Sequence, residues 1–120
     1  MSLKKGDCFP NVSFYRMNDG SPEKVNSVDL FNKKKIILVG VPGAFTPTCT
    51  NEHLPGYIKH FESFKSKGIE EIFFISVNDP FVMQKWGDSV DKNQLKFIAD
   101  SDGEFMNSSG FMVDLSAAGL

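Results

Sequence analysis

Cys49 ends the run Val41-Pro42-Gly43-Ala44-Phe45-Thr46-Pro47-Thr48-Cys49, and the residue types around it are those that activate a thiol. A thiol attacks as its thiolate. The first turn of a helix stabilises that anion through unpaired N–H groups and the positive end of the helix dipole. Thr46 is a favourable N-cap and Pro47 a favourable first helical residue, where the missing N–H costs nothing. Thr48 is then the second helical residue and Cys49 the third. In that register the Thr46 hydroxyl accepts from the Cys49 backbone N–H, and the sulfur lies in the first turn. Isolated cysteines are most often small buried hydrophobes. The Pro-Gly turn, the Thr-Pro cap and the change from strand to helix point instead to a nucleophile.

The strand that delivers this turn is Lys35-Ile36-Ile37-Leu38-Val39-Gly40-Val41, an apolar, β-branched run of the kind that forms a buried parallel strand. A cysteine between the C-terminal edge of a central strand and its following helix holds the usual functional position of an open α/β sheet. That helix is expected from Pro47 to Lys67, with Leu54, Tyr57, Ile58, Phe61 and Phe64 on one face and Gly68 as its stop. Pro55-Gly56 inside it predicts a kink that separates the first turn from the rest. Downstream, Glu71 to Val77 reads as a buried strand, and Asp79-Pro80 starts a helix carrying Val82, Trp86 and Val90 on one side. Leu95 to Ala99 is a further strand, Gly103 to Ser109 a short helix, and Gly110 to Leu120 a tail.

Upstream, Gly6 to Phe14 is a turn leading into an alternating strand, and Asn18-Asp19-Gly20-Ser21-Pro22 has the composition of a hairpin turn. Val25 to Phe31 is a short strand or helical turn, and Lys33-Lys34-Lys35 a solvated lead-in to the next strand. The βαβαβ order with short crossovers argues an α/β protein with a parallel sheet.

A chain of 120 residues supports one domain with a modest core. Its net charge of −2 gives no reason to expect nucleic acid or an anionic membrane as partner, and Arg16 is its only arginine. No apolar run reaches transmembrane length, and Met1-Ser2-Leu3-Lys4-Lys5 is not followed by the apolar stretch of a secretion signal. A cytoplasmic location is expected, save for an organellar targeting segment removed upstream. The two cysteines, Cys8 and Cys49, make no disulfide framework. Cys49 and His53 share a helical face and His60 follows, but three ligands interrupted by Pro55-Gly56 make a poor zinc site. No metal or cofactor is expected.

Pro42-x-x-x-Thr46-x-x-Cys49 matches the Pro-x-x-x-Thr/Ser-x-x-Cys signature of peroxiredoxins. The blocks from Gly40 to Cys49, His53 to Gly56 and Ser76 to Met83 resemble the type II, peroxiredoxin-5-like branch, and the resemblance runs from about Gly6 to Leu120. It implies a thioredoxin-like fold, a central and mostly parallel sheet flanked by helices. It also implies a thiol-dependent peroxidase that reduces hydrogen peroxide and alkyl hydroperoxides through a Cys49 sulfenic acid. The Thr46 hydroxyl would be shared between thiolate and peroxide, and the backbone N–H groups of Cys49 and Thr48 would form a dipolar cradle. Pro42 would shield the site.

Resembling sequences continue past the equivalent of Leu120 into a segment with a catalytic arginine, a role not assigned to Arg16. The chain is therefore expected to be one thioredoxin-like domain over residues 1–120, C-terminally truncated and without the final hairpin and last helix. Plant-type relatives place a resolving cysteine where this chain has Phe74, other relatives place it in the segment past the equivalent of Leu120, and Cys8 matches neither location. A one-cysteine cycle follows, with glutaredoxin and glutathione or thioredoxin as reductant. Phe45 and the Phe81-Val82-Met83 loop are candidates for a homodimer contact near the site. The alternative function is a non-turnover peroxide sensor or redox-binding module of the same fold.

Overall fold

Apolar residues run continuously along the inner strands and successive side chains face opposite sides, so each strand supplies two cores at once. In the computed structural model, which describes residues 3–45, 54–90 and 95–110, these strands form one five-stranded sheet. The strands are β1 (Ser13–Asn18), β2 (Ser21–Asn26), β3 (Ile36–Gly40), β4 (Glu71–Ser76) and β5 (Lys96–Ala99). The helices are α1 (Ser27–Phe31), α2 (Leu54–Lys59), α3 (Phe61–Ser66), α4 (Pro80–Val90) and α5 (Glu104–Ser109).

Strand order is β2-β1-β5-β4-β3. β3, β4 and β5 are parallel, as the crossover order requires, while β1 lies antiparallel to both β2 and β5. The sheet as a whole is thus mixed. On one face Ile37, Val39, Ile72, Phe74 and Ala99 meet Met83 and Trp86 of α4 and the half-buried Tyr57, Phe61 and Phe64 of α2 and α3. On the other, Phe14, Phe73, Ile75 and Ile98 meet Leu30 of α1 and Phe105 of α5. Each fully buried aromatic contributes about 1.5–3 kcal/mol by leaving water.

Local signals hold at most junctions. Asp19 (φ 51°) and Gly20 (φ 81°) form the two-residue turn between Asn18 and Ser21, the left-handed pair that a tight hairpin requires. Asp79 Oδ1 accepts from the Val82 N–H at 2.9 Å, with Pro80 opening α4 as expected. After α3 the Gly68 N–H donates to Lys65 O and the Ile69 N–H to Phe64 O, with Gly68 at φ 91°. This pair of bonds ends the helix at the predicted glycine.

The helix expected from Pro47 to Lys67 is described from Leu54 onward and is interrupted at His60 (φ −101°, ψ 13°), between α2 and α3; Pro55-Gly56 lies within α2, and the first turn it is expected to set apart lies outside the described residues. Hydrogen bonds from the His60 N–H to Gly56 O and from the Phe64 N–H to His60 O carry the ladder across the break. β3 is parallel as expected, but it is the edge strand of the described sheet, and Ile36 to Val39 are half-buried. Among the described residues it has a neighbour on one side only. The buried centre is β4, whose residues from Ile72 to Ser76 are all shielded. The expected tail is described only at Gly110, and residues 111–120 lie outside the described residues.

Candidate active site

The three parallel strands end together, and the backbone ladder runs one step beyond them. The Val41 N–H donates to Ile75 O at 3.0 Å and the Asp100 N–H to Ser76 O at 2.7 Å. Ligands in open α/β sheets bind at this carboxyl edge. The loop after β3 starts at Val41, 4% exposed, passes the exposed Pro42 and the buried Gly43, and reaches Ala44 and Phe45. Phe45 is 51% exposed and sits at φ 64°, a left-handed conformation that costs a residue with a Cβ on the order of 1–3 kcal/mol. The surrounding structure must hold it there.

Two contacts do so. The Asn78 Oδ1 accepts from the Ala44 N–H at 2.8 Å, tying this loop to the turn that follows β4. The Phe45 ring lies 6.4 Å from the ring of Trp86 on α4. Asn78 is itself held, since Ser76 Oγ donates to the same Oδ1 at 2.7 Å and Ser101 Oγ donates to the Asn78 carbonyl at 3.2 Å. The chain is described again at Leu54, fully buried in the same core as Val41. Thr46, Thr48 and Cys49, predicted as the reacting centre, and His53 lie outside the described residues. Pro42, predicted as a shield, stands at the surface of the loop that leads to them.

The other singled-out residues are elsewhere. Arg16 lies on β1 beyond Tyr15, toward the hairpin turn and away from the carboxyl edge. Its Nε donates to Glu23 Oε1 at 2.9 Å on the paired strand. Hydrogen bonds from Asn18 and then from Arg16 hold the Glu23 carboxyl below its ordinary range. Tyr15 donates to Asp102 Oδ2 at 2.9 Å, and that bond raises its phenol above the ordinary value. His60 is exposed at the α2–α3 break. Cys8 is an exposed free thiol.

Asn78 and Asp100 are polar residues at the carboxyl edge that composition does not single out. Asp100 is fully buried, and its two oxygens accept from the Phe105 N–H (3.1 Å) and the Met106 N–H (3.0 Å), anchoring α5 to the end of β5. The available signal was position. Both polar residues follow the last apolar residues of a buried strand, where a side-chain acceptor is needed to turn the chain.

Comparison with known proteins places this arrangement in a family. The Redoxin family model matches residues 4–120. Peroxiredoxin-2D of Arabidopsis thaliana is 48% identical over 118 residues, covering 96% of this chain and 72% of the relative. The crystal structure of reduced Prx3 from Vibrio vulnificus in complex with hydrogen peroxide superposes with a TM-score of 0.90 at 36% identity, over 94% of this chain and 72% of that one. Peroxiredoxin 5 from Alvinella pompejana gives a TM-score of 0.87 at 38% identity, over 96% and 73%. The fold is thioredoxin-like, and the chain belongs to the redoxin family as a type II, peroxiredoxin-5-like peroxiredoxin, a thiol peroxidase.

Proposed function

We propose that the chain reduces hydrogen peroxide and alkyl hydroperoxides with Cys49 as the peroxidatic nucleophile. The thiolate attacks one peroxide oxygen, the O–O bond breaks, and the leaving oxygen takes up a proton and departs as water or an alcohol. Sulfur is oxidised to the sulfenic acid as the peroxide is reduced. The Thr46 hydroxyl donates to thiolate or peroxide, the N–H groups of Cys49 and Thr48 stabilise the developing charge, and Pro42 excludes bulk water. The observation that supports this best is the loop from Val41 to Phe45, pinned at the carboxyl edge of the parallel strands and running directly into Thr46 and Cys49. The hydrogen peroxide bound to the Vibrio relative supports the substrate class. The exposed Phe45 and Phe81 on this part of the chain suit an alkyl group.

Regeneration is proposed to use glutathione with glutaredoxin, or thioredoxin, in the cytoplasm, where these keep thiols reduced. Cys8 is followed by Phe9, whose ring packs on Phe31 and Phe105 at the core of one sheet face. Val41, Ala44 and Leu54, which flank the Cys49 segment, pack in the core of the opposite face. This separation supports a one-cysteine cycle. Exposed Phe45, Val77 and Phe81 support a homodimer contact.

Steady-state turnover with glutathione and glutaredoxin tests the proposal against a sensor, which would oxidise once and stall. Cys49→Ser is expected to abolish peroxide consumption, and Cys8→Ser to leave turnover intact. Loss of turnover in Cys8→Ser would overturn the one-cysteine cycle.

A further inference from the structure

We propose, on the reading of Cys49 as the peroxidatic nucleophile, that Asn78 is a positioning residue for it. Asn78 acts through the backbone of the loop that leads to Cys49 and does not touch the peroxide. Its Oδ1 takes two hydrogen bonds, from the Ala44 N–H at 2.8 Å and from Ser76 Oγ at 2.7 Å. Ser76 is 1% exposed at the end of the buried strand β4, so its hydroxyl orients the amide from a rigid platform. From the other side Ser101, in the segment after β5, donates to the Asn78 carbonyl at 3.2 Å. Asn78 therefore joins the ends of β4 and β5 to a loop 34 residues earlier in the chain.

The strain in that loop gives the bond its function. Phe45, next to Ala44, is held at φ 64° with half its surface exposed. A left-handed residue with a Cβ relaxes unless its neighbours over-determine it. The Ala44–Asn78 bond fixes the residue before Phe45, and Thr46, the predicted N-cap of the cysteine helix, is the residue after it. Release of Ala44 lets Phe45 relax, so the chain no longer enters Thr46 from a fixed direction and Cys49 is expected to lose its alignment with the peroxide. A misplacement of about 1 Å costs on the order of a hundredfold in rate.

The test is single-turnover oxidation of Cys49 by hydrogen peroxide across pH, with amide exchange at Ala44 as a direct readout of the bond, in the full 120-residue chain. Asn78→Ala is expected to remove Ala44 protection, lower the oxidation plateau about tenfold to a hundredfold, and move the pH midpoint. Asn78→Asp keeps an acceptor oxygen. It is expected to restore the protection and most of the plateau, with the midpoint moved upward by the added negative charge. A role confined to stability would lower the unfolding midpoint of Asn78→Ala while the folded protein kept the wild-type plateau and pH midpoint. That result overturns the proposal. If Asn78→Ala does not fold, Ser76→Ala removes the hydroxyl that orients the amide. A plateau about threefold to tenfold lower supports the proposal, and a wild-type plateau overturns it. Cys49→Ser is run alongside. Peroxide consumption persisting there would overturn the assignment of Cys49 itself, whereas its loss, with Asn78→Ala unaffected, would overturn the role of Asn78 alone.

Discussion

A hydroxyl three residues before a cysteine has two tasks that need not conflict. In the register that the sequence predicts, Thr46 would accept from the Cys49 N–H as a helix cap and donate to the sulfur or the peroxide. Thr46→Val removes both while keeping the shape. It is expected to slow Cys49 oxidation by on the order of tenfold to a thousandfold, the range for loss of one preorganised donor, and to raise the thiol pKa. A pH–rate profile with wild-type rate and midpoint would leave Thr46 as a cap alone. At this scale the nucleophile is a sequence expectation, drawn from capping and dipole rules that act over four consecutive residues, and Thr46 to Cys49 lie outside the described residues. Asn78 was legible only as one letter of a matching block. Its partner Ala44 lies 34 positions away, and no local rule predicts that an amide will reach across two loops.

Among the elements, turns and caps followed their residue types. The Asp19-Gly20 turn, the Asp79-Pro80 start of α4 and the Gly68 stop after α3 all stand where the sequence puts them. The His60 break does not follow from residue type, since histidine carries no helix-breaking signal of its own. The edge placement of β3 was hidden for another reason, since an apolar run signals burial but not how many neighbours a strand has. Two element-level tests follow. Asp100→Ala deprives the start of α5 of a buried acceptor and is expected to cost about 1–3 kcal/mol in urea unfolding, with Asp100→Asn costing less because one acceptor oxygen remains. In the β1–β2 hairpin, Glu23 titrates below its ordinary 4.5 because Asn18 and Arg16 bond its charged form. Its stabilising effect is therefore present above the ordinary carboxylate range and fades as pH falls through the lowered folded value. An NMR titration should show the depressed midpoint, and Arg16→Gln should raise it toward 4.5.

The molecule is a sheet with a core on each face, consistent with the continuous apolar runs of β3 and β4. The division bears on function. The loop before Cys49 packs with the core of α2, α3 and α4, and the Cys8 segment with that of α1 and α5, so the two thiols are served by different halves of the fold. The peroxide chemistry proposed for Cys49 draws on the carboxyl edge: strand ends, a strained loop, and the residues that the loop leads into. The most direct measurement is the second-order rate of Cys49 oxidation by hydrogen peroxide in the purified chain, by stopped flow with intact-mass assignment of the oxidised cysteine. A rate orders of magnitude above that of a free thiol, with Cys8 unmodified, is the predicted result. Oxidation of Cys49 at the rate of a free thiol would contradict the assignment of this edge as a peroxidatic site.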